Sequence, residues 1–137
     1  MRRKNVTRRK GFTLVELLVV IVILSMLAGI VAPKFFSQIG KSKWDACRAK
    51  MQPIESAIDT FLLNTGEYPA NLNELVTDPG LQGWAGPYLK ESQLYDTWDR
   101  PFDYIPGGLP DGAPLLISYG EDGIQGGEGY NADITNE

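Results

Sequence analysis

A run of 20 residues, from Phe12 to Val31, contains a single charged side chain, Glu16. A helix of that length rises about 30 Å, at about 1.5 Å per residue, which matches the hydrocarbon thickness of a bilayer. An apolar segment this long does not fit inside the core of a small soluble domain. The run therefore predicts a membrane-spanning helix at residues 12–32 and leaves only a small globular part behind it.

Basic residues lie on both sides of this run. Six precede it, at positions 2, 3, 4, 8, 9 and 10, and favour an N-terminus inside and a C-terminal domain outside. Five more lie between Lys34 and Lys50, so the charge bias is not one-sided. Removal of residues 1–11 would take away six of the 13 Lys and Arg and none of the 17 Asp and Glu, changing the formal charge from −4 to −10. Such an acidic chain argues against nucleic acid as a partner.

The chain offers few side chains for catalysis or for disulfides. It has no histidine, the commonest zinc ligand and general base, and its one cysteine, Cys47, allows no internal disulfide. Cys47 lies on an apolar helix stripe, which favours a structural role over a reactive one. We therefore expect a protein that is not an enzyme.

Residues 33–66 predict an amphipathic helix. Apolar side chains recur there at steps of three and four, which places them on one helix face: Trp44, Cys47, Met51, Ile54, Ile58 and Phe61. Two prolines predict a bend near Pro33 and a kink or break near Pro53. Gly66 marks the expected end of the helix, because glycine is favoured just past a helix C-terminus.

Residues 67–137 combine turn signals with short apolar runs. Residues 101–105 and 114–119 predict two strands of a small antiparallel sheet, and the Gly- and Pro-rich residues 106–112 predict the link between them. Residues 71–76 predict one helical turn. Four large aromatic side chains are expected to fill the seam between helix and sheet, since a small domain needs large groups to bury enough area: Trp84, Tyr88, Tyr95 and Trp98. The predicted fold class is α+β.

Gly11 stands directly before the apolar run, where the basic residues stop. A secretory signal peptide also joins a basic start to an apolar centre, and residues 25–28 offer a conventional cleavage site after Ala28. The apolar centre of such peptides typically spans about 7 to 15 residues, fewer than the run found here. Two cleavage points are therefore possible. Cleavage after Gly11 is favoured over cleavage after Ala28.

Glu16 is unusual because a carboxylate inside hydrocarbon costs several kcal/mol. It lies one turn from the end of the run, so one explanation is that its side chain reaches the headgroups. In a second explanation, cleavage after Gly11 leaves a free α-amine on Phe12, and this cation neutralises Glu16 of a neighbouring chain. The second explanation predicts staggered helices in an assembly.

The sequence Lys10-Gly11-Phe12-Thr13-Leu14-Val15-Glu16, with the apolar residues 17–24 behind it, resembles the class III signal of type IV pilins and type II secretion pseudopilins. The resemblance implies that a prepilin peptidase removes the basic leader, residues 1–11, by cutting after Gly11, and methylates the new N-terminus at Phe12. It also implies that Glu16 is an assembly contact, which recruits and registers subunits during their extraction from the membrane.

Three later segments resemble, in order, landmarks of the major pseudopilin of type II secretion systems: residues 64–69, 86–89 and 95–104. In the third, members of that family often have Asp-Pro-Trp-Gly, and this chain departs from it at Thr97 and Asp99. The resemblance implies a type IV pilin-like α+β fold. Its long N-terminal helix, membrane-spanning in the first half and amphipathic in the second, would pack on a small antiparallel sheet with a C-terminal calcium loop.

Residues 118–134 resemble the last landmark of that family. Residues 101–137 contain seven acidic side chains and no Lys or Arg, and a hard cation would relieve their repulsion. The spacing is not that of an EF-hand, and by composition alone a solvated turn is the commoner explanation. The resemblance instead implies a structural calcium ion. It places carboxylate ligands at Asp122 and Asp133 and backbone ligands at Tyr119 and Ile124; with Ala132 where some members have an aspartate, Glu128, Asn131 or water would complete the set.

By resemblance, the chain is the precursor of a single-pass inner-membrane protein whose C-terminal domain lies in the periplasm. It would polymerise into a short periplasmic filament that drives folded proteins through an outer-membrane secretin. The implied partners are copies of itself, minor pseudopilins, the prepilin peptidase, and the inner-membrane assembly platform with its cytoplasmic ATPase.

Two other functions stay open. A type IV pilin of an extracellular fibre shares Gly11 to Glu16, but often closes its C-terminal region with a disulfide that one cysteine cannot form. A calcium-binding or enzymatic domain on an ordinary signal anchor would keep an intact N-terminus and form no filament.

Overall fold

The computed structural model describes residues 11–137, so positions 1–10 of the predicted leader lie outside the described residues. One long helix, α1, spans Leu14–Thr65. Two short 3-10 helices, Leu72–Leu75 and Glu91–Leu94, precede the strands β1 Asp103–Ile105 and β2 Leu115–Ser118. A third 3-10 helix, Gly129–Asn131, lies between β2 and the last strand, β3 Ile134–Thr135. The predicted α+β class is confirmed. The chain forms two compact units, divided between Ser37 and Gln38.

In the first unit, α1 presents its apolar side chains outward. Its most apolar 18-residue window has a mean hydropathy of 2.9, and none of that window is buried within the chain. The large side chains from Leu14 to Val31 are between 45% and 82% exposed. By length and composition this helix can cross a membrane, where its exposed surface would meet lipid instead of water.

Neither proline breaks the helix. Backbone helix continues from Leu14 through Pro33 and Pro53 to Thr65. Of the two alternatives at Pro53, the break is therefore wrong, and the kink stays a prediction. Proline costs about 3 kcal/mol in a helix interior, whereas each buried Met51, Ile54 or Ile58 side chain contributes about 1.5 to 3 kcal/mol. Pro53 itself lies on the exposed face of α1, so packing on the opposite face outweighs its missing hydrogen bond. The bend near Pro33 stays a prediction.

The core of the second unit forms along the predicted stripe of α1. Cys47, Met51, Ile54 and Phe61 are at most 1% exposed, and Ile58 is nearly as well buried. Buried residues of the later chain pack against this stripe: Leu72, Leu75, Leu89, Leu94, Phe102, Leu116 and Ile134. The helix ends where predicted, because the Gly66 amide donates to the Leu62 carbonyl (2.8 Å) directly after Thr65.

Three of the four aromatic side chains expected in the seam contact the core. Trp84, Tyr88 and Trp98 are partly buried against it, and Tyr88 packs edge-on against Phe61 with ring centroids 5.8 Å apart. The prediction for Tyr95 is wrong, since that side chain is 38% exposed. Its neighbours Leu94 and Asp96 are both buried, and the extended chain alternates its side chains between two faces.

The sheet has the strand order β1-β2-β3, and both pairs are antiparallel. The first two strands were predicted, and Tyr104 faces Leu116 across them. The two-residue strand β3 was not predicted. The side chain of Asn136 extends its pairing, since its Oδ1 accepts from the Leu116 amide (2.9 Å) and its Nδ2 donates to the Pro114 carbonyl (3.2 Å). Between β2 and β3 lies the C-terminal loop, residues 119–133.

The raised pKa of Tyr104 should lower the stability of the protein at alkaline pH. Its hydroxyl donates to the Pro69 carbonyl (2.6 Å), and burial, with smaller effects of Glu74 and Tyr68, raises its pKa from 10.0 to about 12. Because this pKa is higher in the folded than in the unfolded chain, the contribution is complete below pH 10.0 and disappears as the pH rises to about 12. We expect the melting temperature to fall more steeply over this range in the native protein than in Tyr104→Phe.

The control is Tyr95→Phe, which alters an exposed tyrosine and should keep the native slope. Thermal melts between pH 8 and pH 12 measure all three proteins. Parallel curves for the native protein and Tyr104→Phe would contradict the assignment.

Cys47 has the environment of a structural cysteine. It is 0% exposed, and burial raises the pKa of its thiol, although hydrogen bonds with Ser118 and Thr97 act in the opposite direction. A thiol that is both inaccessible and protonated is a poor nucleophile. The side chain therefore serves the core, as its position on the stripe predicted.

Candidate functional site

The predicted cleavage point lies in exposed chain just before α1. Gly11 and Phe12 are outside the helix and exposed, Phe12 at 88%, and the helix begins at Leu14. The bond between Gly11 and Phe12 is thus accessible, and the apolar helix begins two residues beyond it.

Glu16 has a partner in its own chain. The Thr13 amide donates to Glu16 Oε2 (2.9 Å), and the Glu16 amide donates to Thr13 Oγ1 (3.2 Å). This is a capping box, which satisfies two amides that have no partner at the start of a helix. It holds the carboxylate at the amide of Thr13, the residue that follows Phe12 in the chain.

This interaction was not predicted, although its signal is present in the sequence. Thr13-Leu14-Val15-Glu16 matches the Ser/Thr-x-x-Glu pattern of a capping box immediately before an apolar run. The carboxylate is therefore an acceptor for its own helix as well as a candidate contact for another chain.

The C-terminal loop is closed by contacts between its two ends. The Glu121 amide donates to the Tyr130 carbonyl (3.0 Å) across the loop, and within its first end the Gly123 amide donates to the Tyr119 carbonyl (3.1 Å). Gly120 has a φ of +64°, and a Cβ there would lie 2.8 Å from the carbonyl oxygen of Ala132. The positive φ and the lack of space for a Cβ both require glycine at position 120. The loop is thus a closed turn whose two ends lie against each other.

Tyr130 attaches the loop to α1. A Cβ on Gly40 would lie 2.6 Å from the Tyr130 ring, so the ring rests directly on the helix backbone. Gly40 is buried within α1. Any larger side chain at position 40 would displace Tyr130 from the helix.

The two carboxylates predicted as metal ligands approach the same short segment. Asp122 Oδ1 accepts from the Ile124 amide (3.1 Å), and both oxygens of Asp133 accept from the Gly126 amide (3.0 Å each). The predicted backbone ligand Tyr119 turns its carbonyl into the same loop, towards Gly123. The loop therefore brings two carboxylates and the Tyr119 carbonyl to residues 123–126, and hard oxygen donors of this kind are those that calcium prefers.

The other predicted ligands are less closely assembled. Glu128 and Asn131 are exposed, and they are joined by a bond from the Asn131 amide to the Glu128 carbonyl (3.2 Å). Within residues 11–137, no three His, Cys, Asp or Glu side chains lie together in an arrangement that could hold a metal. The donor chemistry fits calcium only if backbone carbonyls and water supply most of the six to eight oxygens that this ion takes.

A buried carboxylate for which no role was predicted, Asp96, stabilises the third landmark, residues 95–104. Asp96 is 2% exposed; its Oδ2 accepts from Ser118 Oγ (2.7 Å), and its Oδ1 accepts from the amides of Trp98 (2.8 Å) and Arg100 (3.0 Å). Three hydrogen bonds compensate for the loss of its hydration. Asp96 therefore ties the loop before β1 to the end of β2.

Thr97 and Asp99, the two residues that depart from the family's Asp-Pro-Trp-Gly sequence, both have a structural role. Thr97 Oγ1 donates to the Lys43 carbonyl of α1 (3.0 Å). Asp99 has a φ of +59°, a left-handed conformation that aspartate tolerates better than most residues other than glycine. The backbone conformation is thus one for which the family's glycine is suited, with Asp99 in its place.

Two family models match the chain. The model described as "Type II secretion system (T2SS), protein G" matches residues 34–137, and the model described as "Prokaryotic N-terminal methylation motif" matches residues 6–32. The second match contains Gly11, Phe12 and Glu16.

Similar proteins carry the name "Type II secretion system core protein G". The one from Xanthomonas campestris pv. campestris is 34% identical, covering 98% of each chain. The one from Pseudomonas aeruginosa is 34% identical over 94% of this chain and 95% of its own. That from Vibrio cholerae is 33% identical over 97% of this chain and 94% of its own.

The fold also matches a solved structure. The crystal structure of the major pseudopilin from the type 2 secretion system of enterohaemorrhagic Escherichia coli is similar with a TM-score of 0.59 at 20% identity. The match covers 74% of this chain and 91% of that one. With a family model across most of the chain, and relatives that match it over nearly their whole length, this chain belongs to the type II secretion system protein G family.

Proposed function

We propose that the chain is the major structural subunit of a type II secretion pseudopilus. The observation that carries this proposal is the exposed apolar part of α1, which starts three residues after Gly11 and is attached to a domain of the protein G family. An apolar helix surface of this length needs either lipid or other helices around it. A subunit that moves from a membrane into a filament provides both in turn.

In the membrane, the basic N-terminus would face the cytoplasm and the C-terminal domain the periplasm. There the subunits would polymerise into a short filament that drives folded proteins through the outer-membrane secretin. The partners in this process would be other copies of the chain, minor pseudopilins, the prepilin peptidase, and the inner-membrane platform with its cytoplasmic ATPase. The role is structural, as is that of its family, and needs no catalytic centre.

We propose further that the C-terminal loop binds a structural calcium ion. Asp122 and Asp133 would supply carboxylate oxygens and Tyr119 and Ile124 backbone carbonyls, with Glu128, Asn131 or water completing the set. The support is that both carboxylates approach residues 124–126, in a segment whose acidic groups outnumber its bases. When bound, calcium would neutralise these carboxylates and join the two ends of the loop.

The test of class is the intact mass and N-terminal sequence of the protein purified from its native membrane. We expect a chain that begins with N-methylated Phe12. Gly11→Leu should remain uncut, whereas Gly29→Leu, a matched change at a glycine with open space around it, should be processed normally.

The other outcomes identify the alternatives. A native chain that begins at Met1 would indicate an ordinary signal anchor, and one that begins after Ala28 would indicate a secretory signal peptide. Either result would contradict assembly by the pilin route.

A further inference from the structure

The C-terminal loop receives a positive charge from outside its own acidic segment. Arg100 is the last basic residue of the chain and directly precedes residues 101–137, where the seven acidic side chains lie. In the structure its guanidinium reaches into the loop: Nη1 donates to the Gly120 carbonyl (2.8 Å) and Nη2 to the Glu121 carbonyl (3.0 Å). The side chain thus holds two consecutive carbonyls with the two arms of one planar group.

The loop backbone fits closely around this group. A Cβ on Gly123 would lie 2.7 Å from Arg100 Cζ and 2.8 Å from Nε, so the guanidinium packs against the bare backbone of Gly123. Gly123 also has a φ of +70°, which side chains rarely adopt. Residues 120–123 therefore fold around the arginine on more than one side.

The backbone of Arg100 is fixed as well. Its amide donates to Asp96 Oδ1 (3.0 Å) and its carbonyl accepts from the Asp96 amide (2.8 Å). Asp96 is buried and is held in turn by Ser118 and by Lys50 of α1, whose Nζ donates to the Asp96 carbonyl (2.9 Å). The planar guanidinium makes two charge-assisted hydrogen bonds at once, so less side-chain freedom is lost per bond than with a flexible single donor.

We infer that Arg100 is the positioning residue of the C-terminal loop: it holds the first turn, residues 119–123, and so sets the place from which Asp122 projects. Its side-chain contacts are hydrogen bonds to the backbone carbonyls of Gly120 and Glu121. The loop then has two parts: a first turn that Arg100 holds whether or not calcium is present, and residues 124–129, whose order depends on the carboxylates of Asp122 and Asp133. The consequence for calcium affinity rests on the calcium site proposed above, whereas the order of the first turn does not.

The experiment is amide hydrogen exchange on the processed full-length chain in detergent micelles, with excess EDTA and then with calcium. In EDTA the Glu121 and Gly123 amides of the native protein should exchange slowly, since they donate to Tyr130 and Tyr119. In Arg100→Gln they should exchange faster by on the order of tenfold, as expected for the loss of hydrogen bonds from a charged donor. Arg100→Lys should restore part of the protection, because one ammonium group can still reach a carbonyl.

Two further proteins make the result specific. Lys41→Gln removes one exposed positive charge from α1 and should leave both amides as in the native protein. Gly123→Ala keeps Arg100 but places a Cβ against the guanidinium, and it should expose the same amides. The Leu116 amide, which donates to Asn136 in the sheet, reports whether each variant remains folded.

Calcium titration of the same proteins measures the second consequence. We expect Arg100→Gln to bind calcium more weakly by about tenfold, since the ordering of the first turn must then be driven by the ion. Native rates at Glu121 and Gly123 in Arg100→Gln, measured in EDTA, would overturn the inference. If calcium changes nothing in the native protein, the calcium proposal fails, and the EDTA comparison still decides the role of Arg100.

Discussion

Replacement of Glu16 by glutamine should abolish secretion while leaving the protein inserted and folded. The glutamine oxygen can still accept from the Thr13 amide, so the capping box is kept. The charge is lost, and with it any pairing with the Phe12 amine of a neighbouring chain. A neutral side chain inserts at least as well as a carboxylate, whose burial at a bilayer centre costs about 2.5 to 3.5 kcal/mol.

Glu16→Leu should give the same result and separates the two roles of the carboxylate. Leucine removes both the charge and the cap, so the two variants behave alike if the charge carries the function. If Glu16→Gln secretes normally and Glu16→Leu does not, the cap is the functional interaction and the pairing of amine with carboxylate must be abandoned. The control is Asp59→Asn, which neutralises an exposed carboxylate on the same helix.

The measurements for these variants are the fraction of secreted cargo in the medium and the filaments seen by electron microscopy. Membrane fractionation shows whether each variant is inserted, and the melting temperature of the C-terminal domain shows whether it is folded. A loss of secretion counts only where both of these match the native protein.

Calcium should raise the melting temperature of the native chain by on the order of ten degrees. Free calcium at about a hundred times its dissociation constant stabilises a single-site protein by about 2.7 kcal/mol, and each kcal/mol shifts a domain of this size by about 4 to 8 °C. Asp122→Asn and Asp133→Asn should lose most of the difference between calcium and EDTA. Magnesium at the same concentration should have little effect, since it favours a rigid octahedral site with retained water.

A matched control exists in the link between β1 and β2. Asp111 Oδ1 accepts from the Ala113 amide (3.0 Å) just as Asp122 Oδ1 accepts from the Ile124 amide (3.1 Å). Asp111→Asn therefore makes the same local change outside the C-terminal loop and should keep the full calcium response. Equal melting of the native protein with calcium and with chelator would remove the proposed site.

The sequence by itself determined the parts of this protein that depend on local pattern. The length of the apolar run, the spacing of the stripe from Trp44 to Phe61, and the turn signals around residues 106–112 predicted the helix, its buried face and the first two strands. These features are readable because a helix or hairpin imposes a fixed period on the side chains that it buries. The proposed processing site at Gly11 and Phe12 and the proposed assembly contact at Glu16 are readable for a similar reason, since these residues are neighbours in the chain.

Only the tertiary structure decided features that depend on distant residues. Packing on the face opposite Pro53 keeps α1 continuous, and the burial of Leu94 and Asp96 turns Tyr95 outward. Arg100 stands one position before the acidic segment in sequence, yet it bonds to carbonyls 20 and 21 residues later. Local composition shows that this loop carries an excess of negative charge. The chain must fold back before Arg100 can reach the loop. Hydrogen bonds and burial depend on distance in space and not along the sequence, so the sequence alone does not reveal this contact.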